Sequence, residues 1–321
     1  MSKILVVGSS NTDLITNVDR FPSSGETITG KSFMQAMGGK GANQAIAARR
    51  LGGDVGFVTC LGNDSNGRNA LKYYTEEGVD VSFSRIVEDA PTGTAIILVN
   101  KEGENCIVVT PGANHELTPE YIQQIESEIA SASIVMLQME IPYETVRKVC
   151  ELAKKHGTEI LLNVAPAREI DTSLLGMVDI LVVNETEIEM ISKQSISKAG
   201  EEEIIDTLLS RGASTVILTL GRKGCIVRNK NMSQFIPAFH VTALDTTAAG
   251  DTFCGALVAE LSKGKNIVEA IRFATAASAI CVTRMGAQPS IPTEDEVKMF
   301  LSARIKFSGK DGIKTNNRPI I

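Results

Sequence analysis

An excess of basic charge is missing from this sequence. Its 32 lysines and arginines are outnumbered by 38 aspartates and glutamates, for a net charge of −6. Proteins that grip nucleic acid normally carry the opposite balance, so no nucleic-acid partner is expected, although a single nucleotide could still be met by a local site. Histidine is scarce. His115, His156 and His240 stand far apart, which argues against a histidine-rich metal centre. None of the six cysteines (Cys60, Cys106, Cys150, Cys225, Cys254 and Cys281) forms a C-x-x-C pair. In a chain this long they read as reduced, buried thiols rather than a disulfide framework. Long hydrophobic runs are missing too. The first, Ile4–Val7, is too short for the apolar region of a signal peptide, and nothing approaches a membrane span. No membrane partner is expected, and the cytoplasm is the expected compartment.

There is no internal repeat and no low-complexity tract. Neither of two common nucleotide signatures stands in its usual setting. The pattern G-x-x-x-x-G-K-[ST] occurs at Gly25–Ser32, but there it runs into the strand pattern Thr27–Met37 rather than opening a helix, and the Gly38–Asn43 run does not fit it, so a Walker P-loop is not expected. No G-x-G-x-x-G follows the first apolar run, which excludes a nicotinamide dehydrogenase. With 43% hydrophobic and 22% charged residues over 321 positions, the composition is that of a globular protein. The length suits about two domains, or one large α/β domain with an insertion.

Short β-branched apolar runs recur at Ile4–Val7, Gly56–Thr59, Ile134–Leu137, Ile160–Leu162, Ile180–Val183 and Val216–Leu218. Such runs read as strands buried on both faces. Helical patterns lie between them, at Asn43–Leu51, Gly67–Glu77, Pro119–Ser131, Tyr143–Lys155, Ile188–Ile191 and Glu203–Arg211. The alternation predicts an α/β fold, with a doubly wound, mostly parallel central sheet and helices on both faces. A mixed α+β fold is the alternative. Two stretches break the rhythm, at about residues 14–38 and 93–110. Their strand patterns Leu14–Val18, Thr27–Met37, Thr94–Val99 and Cys106–Thr110 predict a small separate sheet, a lid on the main domain, although an extension of the main sheet is the plainer possibility. One lid face would expose Ile96, Leu98 and Ile107 or their neighbours, and a homodimer through the lid would cover it. Asp251–Leu261 and Ile267–Val282 predict close-packed helices rich in small residues, and residues 304–321 a loose C-terminal tail after a domain spanning 1–303.

Five of the apolar runs end in polar or glycine clusters. These are Gly8–Asp13, Gln138–Glu140, Asn163, Asn184–Glu187 and Thr219–Gly224. In open parallel sheets ligands bind beyond the carboxyl ends of the strands, so the five clusters predict one crevice. The run Gly38-Gly39-Lys40-Gly41-Ala42-Asn43 opens a helix, either as a plain tight turn or as a close backbone approach to a ligand. In Asp245–Phe253, the small residues Ala248, Ala249 and Gly250 lead into another helix, whose free amides would make an anion site. Asp251 in that first turn is either a capping acid or a base beside a phosphoryl group.

These residues resemble the ribokinase-like carbohydrate kinases. The resemblance rests on Asn11-Thr12-Asp13, Gly38–Ala45, Glu140, Asn184–Glu187, Thr219-Leu220-Gly221, Ala248–Asp251 and Thr283–Ser290, and covers about residues 3–302 in order. It implies transfer of the γ-phosphoryl of ATP to a sugar hydroxyl, O5 of D-ribose in the members most similar in these runs. It implies Asp251 as the catalytic base, with Ala248, Ala249 and Gly250 as the anion hole. The sugar would be held by Asn11, Asp13, Gly39, Lys40, Asn43 and Glu140 together with Asp251. Asn184, Thr219, Gly221, Gly224, Gly250 and Thr275 would meet the nucleotide, and Glu187 would meet Mg²⁺ through water. K⁺ would take the side chains of Asp245 and Ser290 and the carbonyls of Thr247, Cys281, Arg284 and Gly286. Such an oxygen set suits a hard cation. Two alternatives stand beside ribose phosphorylation. One is another kinase of the family, acting on fructose, deoxyribose or a nucleoside. The other is a non-catalytic binder of sugar or nucleotide.

Overall fold

A computed structural model describes residues 3–308. Its strands are β1 (Lys3–Val7), β2 (Asn11–Asn17), β3 (Ser32–Gly38), β4 (Asp54–Val58), β5 (Cys60–Gly62), β6 (Arg85–Val87) and β7 (Gly93–Val99). They continue with β8 (Asn105–Thr110), β9 (Ile134–Leu137), β10 (Glu159–Asn163), β11 (Ile180–Asn184), β12 (Thr215–Thr219), β13 (Gly224–Asn229) and β14 (Met232–Pro237). The main sheet runs β14-β13-β12-β11-β10-β9-β1-β4. It is parallel from β12 to β4, and β13 and β14 add an antiparallel hairpin at one edge. That hairpin is not predicted from the sequence, because β14 is mostly exposed and carries no continuous apolar run.

Alternate side chains of each parallel strand enter different cores. Ile4 and Val6 pack with Phe57, Met136 and the helices Lys40–Arg50, Ala249–Ser262 and Ile267–Cys281. Leu5 and Val7 pack with Leu137, Leu181 and the helices Tyr143–His156, Glu185–Ser192 and Glu201–Ser210 on the other face. A sheet covered on both faces is why these strands read as unbroken apolar runs rather than alternating ones. Close packing positions the site as well. A Cβ on Gly255 would lie 2.7 Å from the Ala48 nitrogen. Only glycine therefore lets the Ala249–Ser262 helix cross the Lys40–Arg50 helix this tightly, which draws Asp251 toward Asn43.

The inserted strands form a separate four-stranded sheet, ordered β3-β2-β7-β8. β2 begins at Asn11, three residues before the expected start of the lid. The lid strand itself therefore carries Asn11 and Asp13. Register also corrects the expected apolar face. Ile96 pairs with Val108 and Leu98 with Cys106, whereas Ile107 pairs with Ile97. Paired residues share a face, so Ile107 points opposite to Ile96 and Leu98. Cys106 is exposed on this sheet, against the expectation of a buried thiol, while the other five cysteines are buried.

Two further expectations change. The Pro119–Ser131 pattern is two helices, Pro119–Gln124 and Glu126–Ser131, broken at Ile125 with φ −104° and ψ 23°. The last helix spans Glu294–Ser308, so residues 304–308 of the expected tail are helical. Residues 309–321 lie outside the described ones.

Candidate active site

Because β1, β9, β10, β11 and β12 are parallel, their polar ends meet at one edge of the sheet. Ser9 follows β1, and its hydroxyl donates to Glu140 Oε2 at 2.5 Å. The same Glu140 oxygen accepts the Lys40 backbone N–H at 2.9 Å. Gly39 caps that helix at φ 89°, a conformation that side chains disfavour. It turns the end of β3 straight into the Lys40–Arg50 helix, so Asp13, Lys40 and Glu140 converge. Asn114 fixes the start of the lid. It accepts the Ser10 N–H at 2.9 Å and donates to Asn11 Oδ1 at 2.8 Å.

Asp251 enters from the opposite side, in the first turn of the Ala249–Ser262 helix. Asn43 Nδ2 donates to its Oδ2 at 2.9 Å and Gln44 Nε2 to its Oδ1 at 3.0 Å. Gln288 Nε2 donates to Asn43 Oδ1 at 3.1 Å. Ala248 precedes the helix at φ 58°, and the Ala249 amide turns back onto the Thr246 carbonyl at 3.2 Å. That leaves the Gly250 and Asp251 amides with no intrahelical acceptor, and the space beside Gly250 is open. Of the three small residues expected to form an anion hole, Ala249 thus has its amide turned back into the chain and Gly250 does not.

Charge is concentrated here. Burial, then the neighbouring Glu140 and Asp251, push the Asp13 carboxyl up to about 7, and Lys40 opposes them. Burial disfavours the Lys40 ammonium, but Asp251, Glu140 and Glu187 outweigh it and raise its pKa. A single cation thus serves several carboxylates, a setting that favours uptake of a proton by one of them or arrival of a hydroxyl-rich ligand.

The positions expected to meet nucleotide lie along the neighbouring strand ends. Asn184 is in register with Thr219. Gly221 lies in the 3₁₀ turn Gly221–Lys223, and Gly224 opens β13. Thr275 is buried on the Ile267–Cys281 helix, its hydroxyl donating to the Ile271 carbonyl at 2.8 Å and standing beside Cys225. Asn184 and Glu187 form a reciprocal cap, with Glu187 Oε2 accepting the Asn184 N–H at 2.8 Å and Asn184 Oδ1 accepting the Glu187 N–H at 2.9 Å. Burial raises the Glu187 pKa, opposed by that backbone bond and by Lys40. An anchored carboxylate with lone pairs to spare fits an outer-shell contact to a hydrated Mg²⁺.

The positions expected to hold K⁺ are also drawn together. Asp245 Oδ1 accepts the Thr247 N–H at 2.9 Å, and its Oδ2 accepts the Gly286 N–H at 2.8 Å. Cys281 Sγ lies 3.7 Å from the Thr247 carbonyl and 3.0 Å from Ser290 Oγ. Ser290 is fully buried, and the Arg284 N–H is tied to the Cys281 carbonyl at 3.0 Å. Burial works against ionisation of Asp245, but its bonds from Thr247 and Gly286 hold its pKa below the usual carboxylate range. An anionic carboxylate, a buried hydroxyl and several carbonyls are chemically right for a hard monovalent cation.

Sequence reasoning gives roles to Asp251 and Asn43 but not to the other buried amides around them. Gln44, Gln138, Gln288 and Asn114 are all buried. Buried amides at strand ends, or in the first turn of a helix beside Gly39, are the signal that could have found them.

A carboxylate at a helix start with free amides, opposite a buried cluster of acids and one lysine, is the arrangement of a kinase acting on a polyhydroxy substrate. The pfkB family carbohydrate kinase pattern matches residues 1–294, and the chain belongs to that family. Its relatives are more particular. It is 42% identical over 301 residues to a ribokinase from Haemophilus influenzae, covering 93% of this chain and 98% of that one. A ribokinase structure from Thermotoga maritima superposes with a TM-score of 0.86 at 42% identity, over 94% of this chain and all of that one. An Arabidopsis thaliana ribokinase complexed with ribose and ATP superposes at 0.87 with 33% identity, over 94% of this chain and 98% of that one.

Proposed function

We propose that this enzyme transfers the γ-phosphoryl of ATP to O5 of D-ribose. The observation that carries it is the meeting of Asp251, gripped by Asn43 and Gln44, with Asp13, Lys40 and Glu140 beneath the lid. Asn11, Asp13, Lys40, Asn43 and Glu140, with the Gly39 backbone, bind the sugar hydroxyls. Asp251 takes the proton of the attacking hydroxyl. The free amides at Gly250 stabilise the negative charge that develops on the transferring group. The nucleotide lies along Asn184, Thr219, Gly221, Gly224 and Thr275. Mg²⁺, held through water near Glu187, would neutralise phosphate charge. K⁺ at Asp245 and Ser290, with the carbonyls of Thr247, Cys281, Arg284 and Gly286, would stiffen the loop that carries Gly250. The relatives named ribokinase, one of them holding ribose and ATP, support the sugar.

The lid supports a homodimer. Its apolar residues Phe33, Ile96 and Val108 share one exposed face, more than a lone four-stranded sheet leaves to water. Among the described residues no helix is long and apolar enough to cross a membrane. Six free cysteines and a need for ATP suit the cytoplasm. ADP release over a panel of pentoses, hexoses and nucleosides, with K⁺ and with a bulky organic cation in its place, tests the assignment. Ribose should give the highest kcat/KM, and only with K⁺ present. A higher value for deoxyribose, fructose or adenosine would overturn the sugar, and equal rates with both cations would overturn the ion.

A further inference from the structure

Both protons and the oxygen of the Gln44 side-chain amide are engaged in hydrogen bonds. An amide nitrogen carries two protons. Gln44 Nε2 gives one to Asp251 Oδ1 and the other to Asn163 Oδ1, both at 3.0 Å. Its own oxygen accepts from Gln138 Nε2 at 2.7 Å. Asn163 is set in turn by donating its Nδ2 to the Val182 carbonyl at 3.2 Å, which leaves its oxygen facing Gln44. A flipped Gln44 would put its oxygen against those of Asp251 and Asn163 and its nitrogen against that of Gln138. Only one orientation satisfies all three contacts. Gln44 and Gln138 are fully buried, so water offers no alternative partner, and an unmade bond there is costly. The chain of amides starts on the frame of the main sheet, at the ends of β9 and β10 and the middle of β11, and finishes on the carboxylate. Neither Gln138 nor Asn163 bonds to Asp251 itself.

We propose that Gln44 is a positioning residue for Asp251, an amide locked by Gln138 and Asn163 that fixes the plane of the carboxylate. The proposal rests on Asp251 acting as the base. It gives Gln44 no contact with the sugar, unlike its neighbour Asn43. Losing the Gln44 donor should therefore lower turnover and leave ribose affinity nearly alone.

The test compares Gln44→Leu, Asp251→Asn and the double variant in steady-state kinetics with D-ribose and ATP across pH 5–9. Q44L should lose on the order of 10- to 100-fold in kcat, the scale of a misplaced catalytic group, with KM for ribose changed less than about threefold, far below the tenfold that 1.4 kcal/mol of lost binding would cost. The double variant should be no slower than D251N, because the two residues act as one unit. Gln138→Leu keeps Gln44 but removes its anchor, and should show a smaller shift in the same direction even if Q44L does not fold. An inactive D251N beside a Q44L or Q138L with normal kcat would overturn the proposal. A fully active D251N would instead overturn the base on which it rests.

Discussion

The two larger sheets of this protein follow opposite rules. In the main sheet every residue of β9 is buried, as are the last four of β1 and of β10. In the lid every residue of β8 is exposed, and β3 is exposed over its first four positions. One sheet spends its apolar side chains on its own cores, and the other leaves them for something else to cover. β2 joins the two regimes. Its first three residues, Asn11 to Asp13, are buried, and burial falls away toward Asn17. The polar groups proposed to meet the sugar therefore stand where the lid is rooted in the main body. Stability and chemistry are expected to depend on the main sheet and its edge, and assembly and closure on the lid.

The largest effect should come at the main-sheet edge without touching the fold. Asp251→Asn keeps the size of the side chain and removes the proton acceptor. Turnover should fall by about 10²–10⁴, the usual contribution of a positioned general base, while the melting temperature stays close to that of the parent. Near-normal turnover in a folded D251N would take Asp251 out of the chemistry.

The contrast in stability comes next. Leu181 is fully buried in β11, and truncation to alanine there should cost about 2–5 kcal/mol. Ile107 in β8 is 49% exposed. Ile107→Ala should fall within about 0.5 kcal/mol of the parent in the dissociated chain. Urea unfolding at low protein concentration measures both. Equal losses would mean that the lid is as much a part of the fold as the core.

Much of this division is legible in the sequence. Continuous runs such as Ile134–Leu137 announce strands covered on both faces, and the polar residues after them mark the ligand edge because parallel strands end together. The lid is legible as strands but not in register. A one-residue slip reverses every side chain, and nothing local says that Ile107 pairs with Ile97 rather than with Ile96. The β13–β14 hairpin is hidden because an edge strand needs little apolar character. Asp251 stands out because an acid beside three small residues is odd in isolation. Gln44 and Gln138 do not, since an amide shows its purpose only when its partners, 94 residues apart in sequence, are seen in contact. The Asn184–Glu187 pair illustrates the converse. Its spacing is that of a capping box, and the structure shows that bond pattern complete, so sequence alone could not separate the cap from a role near phosphate.

A charge on the exposed lid face sharpens the comparison further. Val108 is 59% exposed and shares its face with Ile96. Val108→Lys should cost little in the isolated chain but place a charge in the contact between two lids. Light scattering should then report the monomer mass at concentrations where the parent is a dimer, with the melting temperature of the dissociated chain unchanged. A parent that is itself monomeric at those concentrations would show that the lid faces are not covered in this way.

The smallest expected effect lies where the two regimes meet, at Asp13. Burial first, then Glu140 and Asp251, raise its pKa to about 7 in the folded protein, against about 3.9 for an unfolded aspartate. Between those two values the folded chain binds the proton and the unfolded chain does not. Stability must then fall as pH rises through that window. Asp13→Asn removes the ionisation and keeps the shape. The variant should melt a few degrees above the parent at pH 8, and the gap should shrink toward pH 5, where the parent's Asp13 is neutral as well. Ribose affinity should move the other way, because an amide replaces an acceptor that a sugar hydroxyl can address at neutral pH. Calorimetry at the two pH values decides the matter. A melting-temperature difference that is the same at pH 5 and pH 8 would show that Asp13 does not titrate in this range, and that the root of the lid carries no electrostatic strain for the sugar to relieve.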